Sequence, residues 1–236
     1  MKASRILLTF AYFMILSPVL GAQAPPQNRF LTSREPTPNL GQLKLQLIAY
    51  HDCVDDKACY VSDINRQSEL AIAYLRQRLA KAKSGEKLAI VLDIDETALS
   101  NWEEEKRDDF GYIEKDWNDW VNEKKSPAIA GTLRLYNEAL KHGVSVFFIT
   151  GRANPQEAAT SENLKAAGYR DWAGLSLRGP HSAGQPVAEF KSGERQKIVD
   201  AGYHIILNVG DQLSDLAGNP HAERSVKLPN PFYYIP

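Results

Sequence analysis

Cysteine is almost absent: Cys53 and Cys59 are the only two in 236 residues. His51 is the only further soft ligand beside them and no second pair follows, which argues against a zinc site. No cysteine stands near the amino-terminal leader, so a lipid-bearing amino terminus is excluded. Charge of one sign is also lacking. The 28 Lys and Arg face 29 Asp and Glu, for a formal charge of −1, and the charges are interspersed. A nucleic-acid-binding tail or a polybasic membrane patch would need a basic block that is not there. No internal repeat is visible, which removes solenoid architectures.

What is present begins with a leader. Lys2 and Arg5 precede an apolar run over 6–20, then the small residues Gly21 and Ala22. This three-part pattern is that of a secretory signal peptide. The run is shorter than the roughly 20 residues a spanning helix needs and Ser17-Pro18 interrupts it, so no stable membrane anchor is expected. Cleavage fits better after Ala22 than after Ala24, because Pro25 would follow the latter. Residues 23–40 read as a flexible leader, and the mature protein is expected to be periplasmic or secreted. An oxidising compartment favours a local disulfide between Cys53 and Cys59.

The chain length suits one domain with a small insertion. Apolar spacing predicts helices over 43–50 and 64–83, the second packing through Leu70, Ala71, Tyr74, Leu75 and Leu79. A buried strand follows at Leu88, and residues 100–130 then interrupt the strand–helix alternation with a charged, aromatic-rich segment. A helix over 131–142 and a strand over 144–150 come next. Asn154-Pro155 reads as the start of a helix running to Ala167. A short strand is expected over 175–177, loop over 178–187, a helix after Lys191, and strands over 204–209 and 225–228. Alternation of this kind predicts an α/β fold, a parallel sheet between two layers of helices.

The chemistry concentrates at strand ends. Ile90-Val-Leu-Asp-Ile-Asp-Glu-Thr97 carries Asp93 and Asp95 out of an apolar strand at i and i+2, a spacing that points both the same way. The carboxyl ends of parallel strands are where open α/β sheets bind ligands. Two adjacent carboxylates repel unless a cation or a shared proton relieves them. A nucleophilic carboxylate, an acid/base carboxylate and a divalent metal satisfy that requirement together. Thr150 ends the second apolar strand, Lys191 precedes a helical pattern, and Gly210-Asp211 with Asp215 follows the third.

In order, Asp-x-Asp-x-Thr, a strand-terminal Thr, a Lys and Gly-Asp-x-x-x-Asp resemble the haloacid dehalogenase superfamily. Ile90–Thr97 and Ile206-Leu-Asn-Val-Gly-Asp211, with the ending Lys227-Leu-Pro-Asn-Pro-Phe-Tyr-Tyr-Ile-Pro236, are similar to its class C, plant class B-like (subfamily IIIB) acid phosphatases. The resemblance covers about 41–236. It implies a haloacid dehalogenase-like fold with a small helical cap over 100–130, and an exported Mg²⁺-dependent acid phosphatase acting on small phosphomonoesters. Asp93 is then the nucleophile, forming an aspartyl-phosphate, and Asp95 the acid/base. Thr150 hydrogen-bonds the phosphoryl group and Lys191 offsets its charge. Asp93, Asp95 through its backbone carbonyl, and Asp211 would hold Mg²⁺. Asp215 would orient a water or Lys191, or alternatively bind the metal itself. Thr97, expected with Trp102 to bind substrate, also ties the turn together.

Trp102 has the best claim among the cap aromatics to touch a leaving group such as a nucleoside; the alternative is that these rings pack the cap on the core. Arg152 either binds phosphate or pairs with Asp211 or Asp215, and stays outside the predicted site. His181, in a Gly/Pro loop, is expected to be exposed and idle. Two other functions share this scaffold: phosphotransfer to an alcohol acceptor, and non-enzymatic binding or storage, as some plant relatives suggest.

Overall fold

The computed structural model describes residues 37–53 and 58–236. The expected signal peptide, most of the leader and the middle of the Cys53–Cys59 loop lie outside them. Residues Asn39–Pro236 make up one compact unit.

Its centre is β1 (Leu88–Leu92), every residue of which is buried. β2 (Ser145–Ala153) and β4 (His204–Gly210) flank it, with β3 (Gly174–Arg178) and β5 (Arg224–Lys227) outermost. The order is β3-β2-β1-β4-β5 and all pairs are parallel. Side chains alternate across a strand, so β1 feeds two cores. Leu88, Ile90 and Leu92 join the larger one, with residues of α2 (Tyr60–Leu79) and α5 (Ala130–Lys141). Ala89 and Val91 join the smaller one, beneath Phe190 and Ile198 of α7 (Val187–Asp200). A sheet covered on both faces is the expected three-layer arrangement, and it explains why β1 is apolar throughout.

The chain runs outward through β2 and β3, then returns to β4 on the other side of β1. The order therefore reverses beside β1, which opens a crevice at the strand ends. Asp93 follows β1 and Asp211 follows β4 at that place, and the Asp93 N–H donates to the Val209 carbonyl at 3.0 Å.

The insertion forms α3 (Trp102–Arg107) and α4 (Glu114–Glu123). Its two stems are joined where Ser100 N–H donates to Pro127 O and Ile129 N–H to Ala98 O, each at 2.9 Å. The buried Asn101 fastens α4 from within: its Oδ1 accepts from Trp120 Nε1 at 2.9 Å and Ser126 Oγ at 3.0 Å. Between the helices Asp109 and Phe110 both hold positive φ.

Several expectations shift. α1 (Leu40–Asp52) starts earlier, capped by Asn39, whose Oδ1 accepts from the Gly41 N–H at 2.9 Å. Leu70 does not pack; it is 58% exposed on the outer side of α2. Asn154 does not cap the next helix. It opens a 3-10 turn, Asn154–Gln156, and α6 follows over Glu157–Ala166; the Gln156 side chain accepts from the Ala153 N–H at 3.1 Å instead. Lys191 lies within α7, because that helix begins directly after Pro186. The disulfide Cys53–Cys59 is present, with Cα atoms 5.7 Å apart.

Candidate functional site

The crevice is a cavity of about 480 Å³, floored by Asp93, Asp95, Lys191, Asp211 and Asp215. Asp93 and Asp95 follow β1, Asp211 follows β4, Lys191 comes from α7, and Asp215 from the turn of helix beyond Asp211. Lys191, buried on α7, reaches under the sheet edge and donates to Asp93 Oδ1 and Asp215 Oδ1, both at 2.5 Å. Asp215 sits in the short α8 (Leu213–Leu216), and its Oδ2 accepts from the Gln212 N–H at 2.8 Å. Asp211 accepts from Thr97 Oγ1 at 3.2 Å and, on its other oxygen, from Gln212 Nε2 and Asn230 Nδ2 at 2.7 Å each. Thr97 is fully buried and does not line the cavity, so it holds Asp211 from behind.

Asp95 faces a different partner. Arg152 Nε donates to its Oδ1 at 3.0 Å and Nη2 to the same oxygen at 2.7 Å, while Asn101 Nδ2 adds a third bond at 2.9 Å. The expected pairing of Arg152 with Asp211 or Asp215 is therefore wrong. β2 continues past Thr150 to Ala153, which carries Arg152 over Asp95 and into the cavity wall. Its Cζ also lies 5.3 Å from the Trp117 ring centre. Thr150 is fully buried; its Oγ1 accepts from the Arg152 N–H at 3.1 Å and stands 3.5 Å from Asp95 Oδ2.

Trp102 does not line the cavity. It is only 7% exposed, stacked at 3.7 Å on His51 of α1, and packed on Phe232 at 5.0 Å. A residue five positions past Thr97 was expected to look inward, but α3 turns this ring outward against α1. The aromatic wall is made instead by Phe110, Tyr112 and Trp117 of the insertion with Tyr233 and Tyr234 of the carboxyl-terminal segment. His181 is exposed and away from the cavity lining.

Glu96 and Asn101 escaped the sequence reading. Glu96 holds the turn after Asp95: its Oε1 accepts from the Asn101 N–H at 2.5 Å, and its Oε2 accepts from Tyr233 OH at 3.2 Å. The acid one residue before Thr97 was the available signal; the structure adds a positive φ of 50° at Glu96.

The charge balance is unfavourable as it stands. Asp93, Asp211 and Asp215 each offer a carboxylate oxygen, all within 4.8 Å of one another, and among the described residues Lys191 is the cation paired with them. Burial, offset by Lys191 and reinforced by Asp215, Asp211 and Asp95, raises the Asp93 carboxyl well above its ordinary value. Burial and then Asp215 push Asp211 up to about 7. Lys191 is held protonated, because Asp215 and Asp93 outweigh the burial that opposes its charge. Three buried oxygen donors with surplus negative charge suit a hard divalent cation. The donor set therefore fits a metal.

The same burial has a consequence for stability. It raises Glu96 from 4.5 to about 8, and with Glu104 beside it Glu105 also to about 8. The folded protein then binds more protons than the unfolded chain between about pH 4.5 and pH 8, so stability falls as pH rises through that window. Chelator-treated protein is expected to melt at a higher temperature at pH 5 than at pH 8. A melting temperature that is flat or rises across that range would contradict these assignments.

Among the described residues no helix is long and apolar enough to cross a membrane. A family model described as HAD superfamily, subfamily IIIB (acid phosphatase) matches residues 43–236. Acid phosphatase 1 of Solanum lycopersicum is 41% identical over 148 residues, covering 61% of this chain and 58% of that protein. The chain thus spans less than two thirds of that relative's length. The stem 28 kDa glycoprotein of Glycine max is 37% identical over 182 residues, 75% of this chain and 70% of the relative. The class C acid phosphatase from Bacillus anthracis shares the fold, with a TM-score of 0.68 at 23% identity over 83% of this chain and 86% of its own. The family match spans the Asp93, Thr150, Lys191 and Asp211 segments, and the chain belongs to the HAD superfamily, subfamily IIIB.

Proposed function

We propose that this protein is an exported, Mg²⁺-dependent acid phosphatase that hydrolyses small phosphomonoesters through an aspartyl-phosphate on Asp93. One observation carries the reading: Lys191 spans Asp93 and Asp215 at the floor of a cavity that also holds Asp95 and Asp211. Family membership adds to it, and the leader over 1–22 accounts for export.

Phosphoryl transfer depends on positioning and charge neutralisation more than on the strength of the nucleophile. The Asp93 oxygen attacks phosphorus as the bond to the alcohol oxygen breaks. Asp95 supplies the proton that the departing alkoxide takes up. It then removes a proton from the water that attacks the phosphoaspartate, which releases phosphate and restores Asp93. Arg152 holds Asp95 as a carboxylate until the substrate dianion arrives and competes for the guanidinium; the freed oxygen takes a proton from solvent, and this is the proton passed to the alkoxide. Thr150 and Lys191 donate to phosphoryl oxygens, and Lys191 offsets the charge beside Asp93.

Asp93 and Asp211, with the backbone carbonyl of Asp95, would hold Mg²⁺; the position of Asp215 within the same 4.8 Å group also fits a direct ligand. Bound there, the ion supplies neutralisation of phosphoryl charge. The aromatic wall suits an apolar or nucleoside leaving group.

Phosphate release from a panel of esters at acidic pH, with Mg²⁺ and after chelation, tests the proposal. Release that needs the ion supports it, and an inert protein under both conditions overturns it in favour of binding or storage. Phosphate release that falls as an added alcohol captures the phosphoryl group would instead mark a transferase. Asp95→Asn is expected to let the phosphoenzyme form and to slow its hydrolysis, so acid-quenched protein accumulates label from a labelled substrate. Unchanged turnover in this variant removes Asp95 from proton transfer.

A further inference from the structure

The cavity wall carries a charge pattern that the transfer chemistry does not use. Glu104 and Glu105, adjacent on α3, both line it beside Phe110, Tyr112 and Tyr234. Glu104 is 3% exposed. The Glu105 carboxylate accepts no hydrogen bond and makes no ion pair among the described residues, so its charge is unanswered.

The cations that line the cavity are all engaged elsewhere. Lys191 is held by Asp93 and Asp215, and Arg152 by Asp95 and by Thr160, to whose Oγ1 it donates at 3.1 Å. Arg178 donates to the carbonyls of Ser182, at 2.9 Å, and Gln185. An incoming phosphate meets Arg152 and Lys191, but the group attached to it meets carboxylates and aromatic faces.

Resting on the phosphomonoesterase reading, we propose that Glu105, with Glu104 beside it, makes this cavity select phosphomonoesters whose alcohol carries a positive charge and reject those whose alcohol carries a second negative one. Attraction and rejection come from the same side chains. An ammonium over an aromatic face gains from the ring quadrupole, and its charge answers that of Glu105. A carboxylate or second phosphate in the same place adds like charge to a partly desolvated acidic pair, which discriminates strongly. Burial and Glu104 push Glu105 up to about 8, and burial and Asp108 push Glu104 up to about 7, so the selectivity grows as pH rises through that range and the pair ionises.

The experiment compares kcat/KM for phosphoethanolamine and phosphoglycolate, two small esters whose alcohols end in an ammonium and a carboxylate, at pH 8.5 with Mg²⁺, where the Glu105 carboxyl, raised to about 8, is largely ionised. The cationic-to-anionic ratio is expected to be about tenfold or more, the effect of one opposed charge in a partly screened site. Glu105→Gln is expected to bring that ratio down severalfold. Taking the change between wild type and variant cancels the intrinsic reactivity of the two esters. Glu104→Gln provides a second reading of the same ratio should the first variant fold poorly. A wild-type ratio near one, or a ratio that neither substitution moves, overturns the proposal. p-Nitrophenyl phosphate, whose alcohol is uncharged, separates the two levels when assayed at acidic pH as well as at pH 8.5. If it too is left intact, the phosphatase reading has failed; if it is cleaved while the ratio stays flat, only the selectivity has.

Discussion

Asp93→Asn is expected to lower turnover by about a thousandfold or more, the scale of losing a nucleophile that acts with its neighbours as a unit, while the protein still folds. An amide has the shape of the carboxylate and no oxygen able to form the phosphoenzyme. Its effect on stability follows from the same geometry. Burial makes the charged Asp93 costly, and Asp215, Asp211 and Asp95 add repulsion that Lys191 only partly offsets. Removing the charge relieves that repulsion, and Lys191 keeps its 2.5 Å bond to Asp215. The melting temperature of the metal-free variant is therefore expected to equal or exceed that of the wild type. Single-turnover assays and thermal melts check the two halves separately. Near-normal turnover would show that another group attacks phosphorus, and a collapsed fold would show that Asp93 is a structural anchor.

The strand ends were legible in the sequence because an apolar run that stops at an acid has few structural explanations. Asp93, Thr150 and Asp211 stand where the alternation of strands and helices places them, and the sheet's two buried faces follow from the run over 88–92. Contacts set by other segments were less legible. Trp102 is oriented by His51, 51 residues earlier in the chain, and no local pattern conveys which side of α3 meets α1. Arg152 follows Gly151, a residue that ordinarily marks a strand's end, yet pairing with β3 carries β2 on to Ala153, where Ala153 aligns with Arg178. Asn230 and Tyr233 reach Asp211 and Glu96 from the far end of the chain. Their motif was visible as a resemblance, but its purpose as a wall of the cavity needs the tertiary structure.

Arg195→Ala is expected to be the most destabilising single change in the catalytic half of the molecule, and it tests how the cation site is held. Arg195 is fully buried one turn beyond Lys191 on α7. Its guanidinium donates to four backbone carbonyls of α8 and the loop after it: Asp215 at 2.8 Å, Gly218 at 3.0 Å, Pro220 at 2.9 Å and Ala217. Asn208 Nδ2 adds a bond to the Asp215 carbonyl at 3.0 Å. One helix thus fixes both the ammonium that binds the Asp215 carboxylate and the short helix α8, with the loop after it, from which that carboxylate projects. Truncation strands several buried acceptors, at about 1–3 kcal/mol each when unpaired. Repacking recovers part of this, which leaves a loss of roughly 3–5 kcal/mol and a fall of about 10 °C in Tm for a unit of this size. Mg²⁺ affinity, measured by calorimetry without substrate, should weaken as well, because Asp215 loses its fixed distance to Asp93 and Asp211. The Asn208→Ala variant removes one donor instead of the whole clamp, and should weaken ion binding with a smaller drop in Tm. Variants that melt early yet bind Mg²⁺ as tightly as the wild type would show that Arg195 supports the fold alone and leaves the carboxylate geometry to Lys191.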